Sequence, residues 1–362
     1  MTQAYGKGAP CLSEAAPRLC YNHAMLISEA GEFGLIAAIT RLIDRHGRRD
    51  LPSGQGLIIG AGDDAAAWKP EKGIELATTD IMVEGTHFNL SSIKWRELGW
   101  KSIAVNISDI AAMGGSPRYA LVSLALPSHL RVADILEMYR GMLDICNRYS
   151  IAIVGGNISS APQISVSVAL TGISRRIPLT RSAAQAGDLI AVTGYPGLSS
   201  AGLKAATSSI GLPARTARLL HEAHFHPMPQ VEAGERLSML GVKVAIDTSD
   251  GLLADLVHIC ECSQKSAVIY VQSLPIHPAL KRCFPQDYLN LVLSGGEDYA
   301  LLFTAGSEKM QKAKELLSLP VTVIGEITTG KAGKISVLDG RGKPVKISAP
   351  GWDHYSHQYA IR

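Results

Sequence analysis

The stretch IELATTDIMVEGTHF (74–88), followed at 104–115 by AVNISDIAAMGG, decides how the chain is read. Alternation in IELATTD predicts a strand over 74–80 that ends in a carboxylate, Asp80. Residues 93–114 repeat apolar positions at helical spacing and predict a helix carrying Asp109. Working outward, EFGLIAAITRLI reads as a helix and LIIG (57–60) as a strand. Further along come a strand at 119–127, a helix over 132–149, and strands at 151–156 and 163–174. Together these predict one α+β unit. Pro, Gly and charge gather in RRIPLTRSAAQAGD (175–188), which marks a boundary. Beyond it, strands at 189–194, 242–249 and 266–271 alternate with helices, and EDYALLFTA, a helix over 308–318, VTVIGEI and KISVLD close a second, α/β unit. The expected organisation is an extension over 1–30, an N-terminal domain over 31–175 and a C-terminal domain over 182–350.

Composition narrows the function classes. The 362 residues exceed a comfortable single core, in keeping with two domains. Thirty-five Lys and Arg nearly balance 32 Asp and Glu, and a net charge of +3 gives no reason to expect nucleic acid or an acidic membrane surface. No apolar run approaches the roughly 18 residues of a membrane span, and the first thirty residues lack the pattern of a signal peptide. Six cysteines (Cys11, Cys20, Cys146, Cys260, Cys262, Cys283) form neither a paired framework nor two CxxC units. A soluble cytoplasmic protein with a small-molecule site is the expectation. The opening MTQAYGKGAPCLSEAAPRLCYNHA has no period and reads as a poorly ordered extension.

Carboxylates recur where strands should end: GAGDDA (60–65), ATTD (77–80), NISD (106–109), AIDTSDG (245–251) and SGGEDY (294–299). Their Gly, Ser and Thr neighbours let a backbone approach phosphates and supply hydroxyl and N–H donors. Magnesium takes hard oxygen ligands and joins carboxylates to substrate phosphates, so these residue types point to nucleotide–metal chemistry. No GxxxxGK[ST] occurs, which excludes a P-loop, and protein-kinase signatures are absent. GAGDDA imitates the dinucleotide fingerprint, but Pro70 and Gly73 interrupt the helix such a loop must open. Two adjacent carboxylates there would also repel an uncompensated pyrophosphate. His87 fits either a phosphate contact or a structural role, and Arg181 decides nothing alone. HFHPMPQ (224–230) places two His at i and i+2, yet its prolines favour a stiff loop before a helix over a zinc site.

Taken in order, GEFGLI, GAGDDA, TTDIMVEGTHF, AVNISDIAAMGG, LTRSAAQAGD, IDTSDGL and SGGEDYALLF resemble the thiamine-monophosphate kinase family of the aminoimidazole-ribonucleotide-synthetase-like superfamily. The resemblance runs from about Gly31 to Trp352. It implies direct transfer of the ATP γ-phosphate to thiamine monophosphate, without a phosphoenzyme, at a site holding several Mg²⁺. By the same resemblance, Asp63, Asp64, Thr78, Thr79, Asp80 and Asp109 are N-terminal metal ligands and Asp247 and Asp250 C-terminal ones. Asp80, Asp109 and Asp250 are the catalytic candidates. Tyr139, Gly156, Arg181 and Ser249 match ATP contacts, and His87, Glu297 and Trp352 match contacts to thiamine monophosphate. The implied fold is an N-terminal α+β domain whose sheet pairs with that of a second subunit in a homodimer, plus a C-terminal α/β domain. One departure stands out: the family usually reads GGD where this chain reads GGN, with Asn157. An amide oxygen still coordinates Mg²⁺, so retuned metal binding is the expectation there. Two other readings stay open, a non-catalytic ATP-binding homologue and a related ATP-dependent synthetase.

Overall fold

A computed structural model describes residues 24–45, 56–208, 210–347 and Gly351. Most of the expected extension, with Cys11 and Cys20, and Trp352 therefore lie outside the described residues. Helix α1 (Ile27–Arg45) begins before the expected Gly31, where the backbone turns left-handed at φ 67°.

The first unit is built on a four-stranded sheet of β3 (Ile74–Val83), β4 (Ser116–Leu126), β5 (Ala152–Ser160) and β6 (Ser165–Ser174). Their order is β3-β6-β4-β5, with β4 and β5 parallel and the other pairs antiparallel. A hairpin of β1 (Leu57–Ile59) and β2 (Ala67–Trp68) precedes it. The strand β2 replaces the helix that a dinucleotide loop would need. Helices α2 (Trp95–Ala112) and α3 (Val132–Tyr149) cover one sheet face. Leu76, Met82, Val122, Val168 and Leu170 pack there against Ile103, Ile107, Met138 and Met142, all nearly solvent-free. On the opposite face Thr79, Ile81, Leu121, Ser123 and Asn157 are exposed. Two glycines permit the close helix crossing: a Cβ at Gly99 would lie 1.8 Å from the Met138 carbonyl oxygen, and one at Gly141 1.8 Å from that of Arg96.

Six strands form the second sheet, in the order β12-β9-β11-β7-β10-β8. They are β7 (Leu189–Thr193), β8 (Val244–Asp247), β9 (Ser266–Tyr270), β10 (Leu301–Ala305), β11 (Val321–Thr328) and β12 (Ile335–Leu338). Between them run α4 (Leu198–Thr207), α5 (Ala214–Phe225), α6 (Val231–Met239), α7 (Leu252–Cys262), α8 (Pro278–Cys283), α9 (Tyr288–Ser294) and α10 (Ser307–Leu316). The strand expected from Glu297 starts only at Leu301, because Glu297 and Tyr299 adopt positive φ of 66° and 49°.

Helix α2 joins the two units. Nearly every residue from Glu97 to Ala112 is buried, and the helix packs on α3, β3 and β6 of one unit and on α6 and β8 of the other. Trp100 Nε1 donates to the Pro227 carbonyl at 2.9 Å, and the Tyr149 hydroxyl donates to that of Pro229 at 2.7 Å. The HPMPQ segment is thus a clamped loop between α5 and α6.

Candidate active site

The two units enclose a cleft of about 1120 Å³. Its carboxylates come from the motifs that decide the fold. Asp80 stands late on β3, Asp109 one turn from the end of α2, and Asp247 at the end of β8. Strand β3 presents Thr78 and Asp80 on its helix-covered side, and the Thr78 hydroxyl donates to Asp109 Oδ2 at 2.5 Å. Across the junction the Ser108 hydroxyl donates to Asp247 Oδ2 at 2.7 Å.

Their electrostatics follow from that crowding. Burial, then the charge of Asp109, pushes the Asp80 carboxyl up to about 6. Burial raises Asp109 as well, opposed by the Thr78 hydrogen bond and the Arg181 guanidinium. Asp247, 3% exposed, is pushed up to about 7 by burial and Asp109, against the pull of Ser108 and Arg181. Three carboxylates within reach of one another therefore carry less positive compensation than their ionised forms demand. A hard divalent cation fits such an oxygen set. Ser249 and Asp250 line the cleft just after β8, and Thr79 lines it from β3.

His87 and Glu297 also line this cleft. His87 sits in the turn after β3, where its Nδ1 accepts the Val83 N–H at 3.0 Å. A neutral ring held so carries its proton on Nε2. Burial would raise the Glu297 carboxyl, but the Lys101 ammonium hydrogen-bonded to it outweighs burial and holds the group below its usual range. Lys101 Nζ lies 2.8 Å from Glu297 Oε1, with a side chain only 1% exposed. It also lies 3.4 Å from His224 Nε2, while His224 Nδ1 meets the Ser199 hydroxyl at 3.0 Å. Burial and Lys101 push His224 down to about 3, so the ring is neutral. Sequence reasoning missed Lys101 and set His224 aside as part of a stiff loop. A signal existed for the first: a lysine in a helix apolar on all sides cannot reach water. Asp298, in the same SGGED run, instead caps α4, accepting from the N–H groups of Gly197 and Ser199 at 2.6 and 3.0 Å.

Four expected ligands lie elsewhere in this chain. Asp63 and Asp64 are exposed in the loop between β1 and β2, whose hairpin packs on Tyr119, Ala152 and Val154 of β4 and β5. Gly156 and Asn157 are on the edge strand β5. A Cβ at Gly156 would lie 1.8 Å from the Val122 carbonyl oxygen, which accounts for the glycine. Register runs from Asp80 to Val168, Val122 and Gly156, three strand spacings or about 14 Å. Asn157 is exposed opposite Ser123, on the sheet face away from α2. Within a single chain Asn157 therefore stands apart from Asp80. Tyr139 is 4% exposed in the core of the first unit, and burial raises its hydroxyl pKa.

Comparison with known proteins places the chain. Residues 62–174 match the family described as AIR synthase related protein, N-terminal domain, and residues 185–338 match its C-terminal domain. The thiamine-monophosphate kinase of Bacillus subtilis (strain 168) is 35% identical over 333 residues, covering 90% of this chain and 99% of that protein. The Escherichia coli (strain K12) protein of the same name is 36% identical, covering 90% and 98%. The chain belongs to the thiamine-monophosphate kinase family. Solved members of the thiamine-monophosphate kinase family share its fold. The enzyme from Stenotrophomonas maltophilia K279a superimposes with a TM-score of 0.73 at 34% identity, over 85% of this chain and 97% of that one. The structure of AaThiL complexed with AMPPCP and TMP gives 0.71 at 33% identity, over 92% and 100%. Two AIR-synthase-type domains with mixed helix and sheet are thus the fold, as the resemblance implied.

Proposed function

We propose that this chain transfers the γ-phosphate of ATP directly to thiamine monophosphate, giving thiamine diphosphate. The observation that carries the reading is the meeting of Asp80, Asp109 and Asp247 in one cleft with His87 and Glu297. The relative complexed with AMPPCP and TMP supports the choice of substrates. Mg²⁺ bound to these carboxylates would neutralise phosphate oxygens as charge redistributes in transfer. The chain's own part is to position. Thr78 and Ser108 fix the rotamers of Asp109 and Asp247 by hydroxyl donation. Arg181 supplies positive charge beside both, suited to a nucleotide phosphate. His87 Nε2 would donate to the phosphate of the acceptor, and Glu297, set by Lys101, would face its cationic ring. Asp250 and Ser249 complete the C-terminal side of the metal and nucleotide set.

The same reading makes the working unit a homodimer. Each chain carries Asp63, Asp64, Gly156 and Asn157 at one edge of its sheet and Asp80 at the other, and its uncovered sheet face holds Ile81 and Leu121 at 53% and 39% exposure. A second copy packed on that face would carry its Asp63, Asp64 and Asn157 to this chain's Asp80. The two units would then be residues 31–175 and 182–350, working in the cytoplasm, where ATP and Mg²⁺ are at hand. ADP release that requires both thiamine monophosphate and Mg²⁺ is expected, and binding of both substrates without turnover would sink the proposal. Mixing Asp80→Ala and Asp64→Ala subunits, each inactive alone, should restore up to about a quarter of the activity, since half of randomly assorted dimers regain one of two sites. No recovery would place each site within one chain.

A further inference from the structure

Apart from the cleft, one cluster among the described residues has the chemistry of a metal site. We propose that Glu97, His221 and His226 bind a borderline transition-metal cation of the Zn²⁺ class, stapling α2 of the first unit to α5 of the second. One ligand atom from each of the three lies within 4.8 Å of the others. Glu97 is 5% exposed in the first turn of α2, and its Oε2 accepts the Lys94 N–H at 2.8 Å. That leaves Oε1, which lies 3.4 Å from His221 Nε2. The separation is long for a hydrogen bond, yet two ligands of a tetrahedral ion with bonds of about 2.0–2.2 Å stand about 3.3–3.5 Å apart.

His226 supplies the independent observation. Its Nδ1 is shut off from solvent and has no hydrogen bond. The carboxylate nearest it, Glu222 Oε2, is 3.4 Å away. The ring stands edge-on to Trp100, centroids 5.6 Å apart, and Trp100 is itself anchored on Pro227. His221 is held by Phe225 at 4.6 Å. The ring orientations are therefore set before any ion arrives. Two imidazoles and a carboxylate select zinc-like ions over Mg²⁺, which favours oxygen alone. Lys94 Nζ, 3.8 Å from Glu97 Oε1, is 82% exposed and free to swing away. Three protein ligands leave a fourth position to water. HFHPMPQ thus divides its histidines: His224 faces Lys101 and Glu297, and His226 faces away toward the second cluster. Glu97 precedes Lys101 by one turn of α2, and His221 precedes His224 by three residues of α5, so the ion would fix the two helices that floor the cleft.

The test uses untagged full-length protein, stripped with chelator and titrated with Zn²⁺ alone against a chromophoric competitor at neutral pH. One ion per chain with a Kd at or below about 1 μM is expected. His221→Ala and His226→Ala should each weaken it by more than the about 10- to 100-fold typical of losing an outer-shell partner. His258→Ala, at an exposed position of α7, should change nothing. His221→Gln keeps the side-chain volume and repeats the test should the alanine variant misfold. No binding near one equivalent, or binding indifferent to both histidines, would overturn the proposal and leave two plain histidine–carboxylate ion pairs.

Discussion

Asp247→Asn separates what the carboxylate does for catalysis from what it costs the fold. The side chain is 3% exposed, faces the charges of Asp109 and Asp80, and sits far above the ordinary Asp value of 3.8, at about 7. The folded state therefore holds this proton more tightly than the unfolded chain does. Stability is unaffected by the group below pH 4, declines as pH rises from about 4 to about 7, and stays reduced above that. At about 1.4 kcal/mol per pH unit the full effect is about 4 kcal/mol, and sharing of protons with Asp109 brings it to about 2–4 kcal/mol. Asparagine has no proton to lose, and its amide oxygen still accepts from Ser108. The variant should be more stable than the parent by about 2–4 kcal/mol in urea at pH 8 with chelator present, and by less at pH 5. Added Mg²⁺ should close the gap by stabilising the parent more, while turnover of the variant falls by at least about a hundredfold. Equal urea midpoints at pH 8, or a less stable variant, would mean that the protein alone compensates this charge and that the cluster does not await a cation.

Asp80→Ala and Asp109→Ala should each lower turnover by at least about a hundredfold with unchanged circular dichroism, through loss of a charge that steadies phosphoryl transfer. Steady-state kinetics of His87→Ala should show a rise in KM for thiamine monophosphate far above that for ATP; equal effects would make the residue structural. Lys101→Met should destabilise the protein by about 2–4 kcal/mol because Glu297, 30% exposed, is left with a half-buried unpaired charge, and adding Glu297→Gln should recover most of that in the same urea assay. If Asn157 reaches a metal held by a second copy, Asn157→Asp should lower the Mg²⁺ needed for half-maximal activity about fivefold, whereas superimposable titrations at saturating ATP would remove position 157 from the metal set.

Much of this architecture is legible in the sequence because the local signals agree. The strand expected over 74–80 and the helix expected over 93–114 stand as β3 (74–83) and α2 (95–112), and the carboxylates late in each meet. Strand order is not local. Asn157 follows a strand much as Asp80 ends one, but β6 and β4 lie between them, and nothing near either residue reports that. Glu297 looks like the start of a strand, yet it adopts a positive φ that no strand adopts, its N–H donates to the Ser249 carbonyl, and its side chain pairs with Lys101 on a distant helix. The short helices α8 and α9 fall on either side of Pro285, in runs too brief for a period to show. Tyr139 matches a nucleotide contact by resemblance alone, and its side chain lies in the core of the first unit.

The central claim is that phosphate passes from ATP to the acceptor in this cleft, and the fate of a labelled γ-phosphate tests it most directly. Incubation of the parent with γ-labelled ATP, Mg²⁺ and thiamine monophosphate should place the label in the terminal phosphate of thiamine diphosphate, one for each ADP formed, with none on the protein. Asp247→Asn under the same conditions should yield almost none. Label recovered as free phosphate, or covalently on the chain, or unmoved from ATP in the parent, would contradict the account.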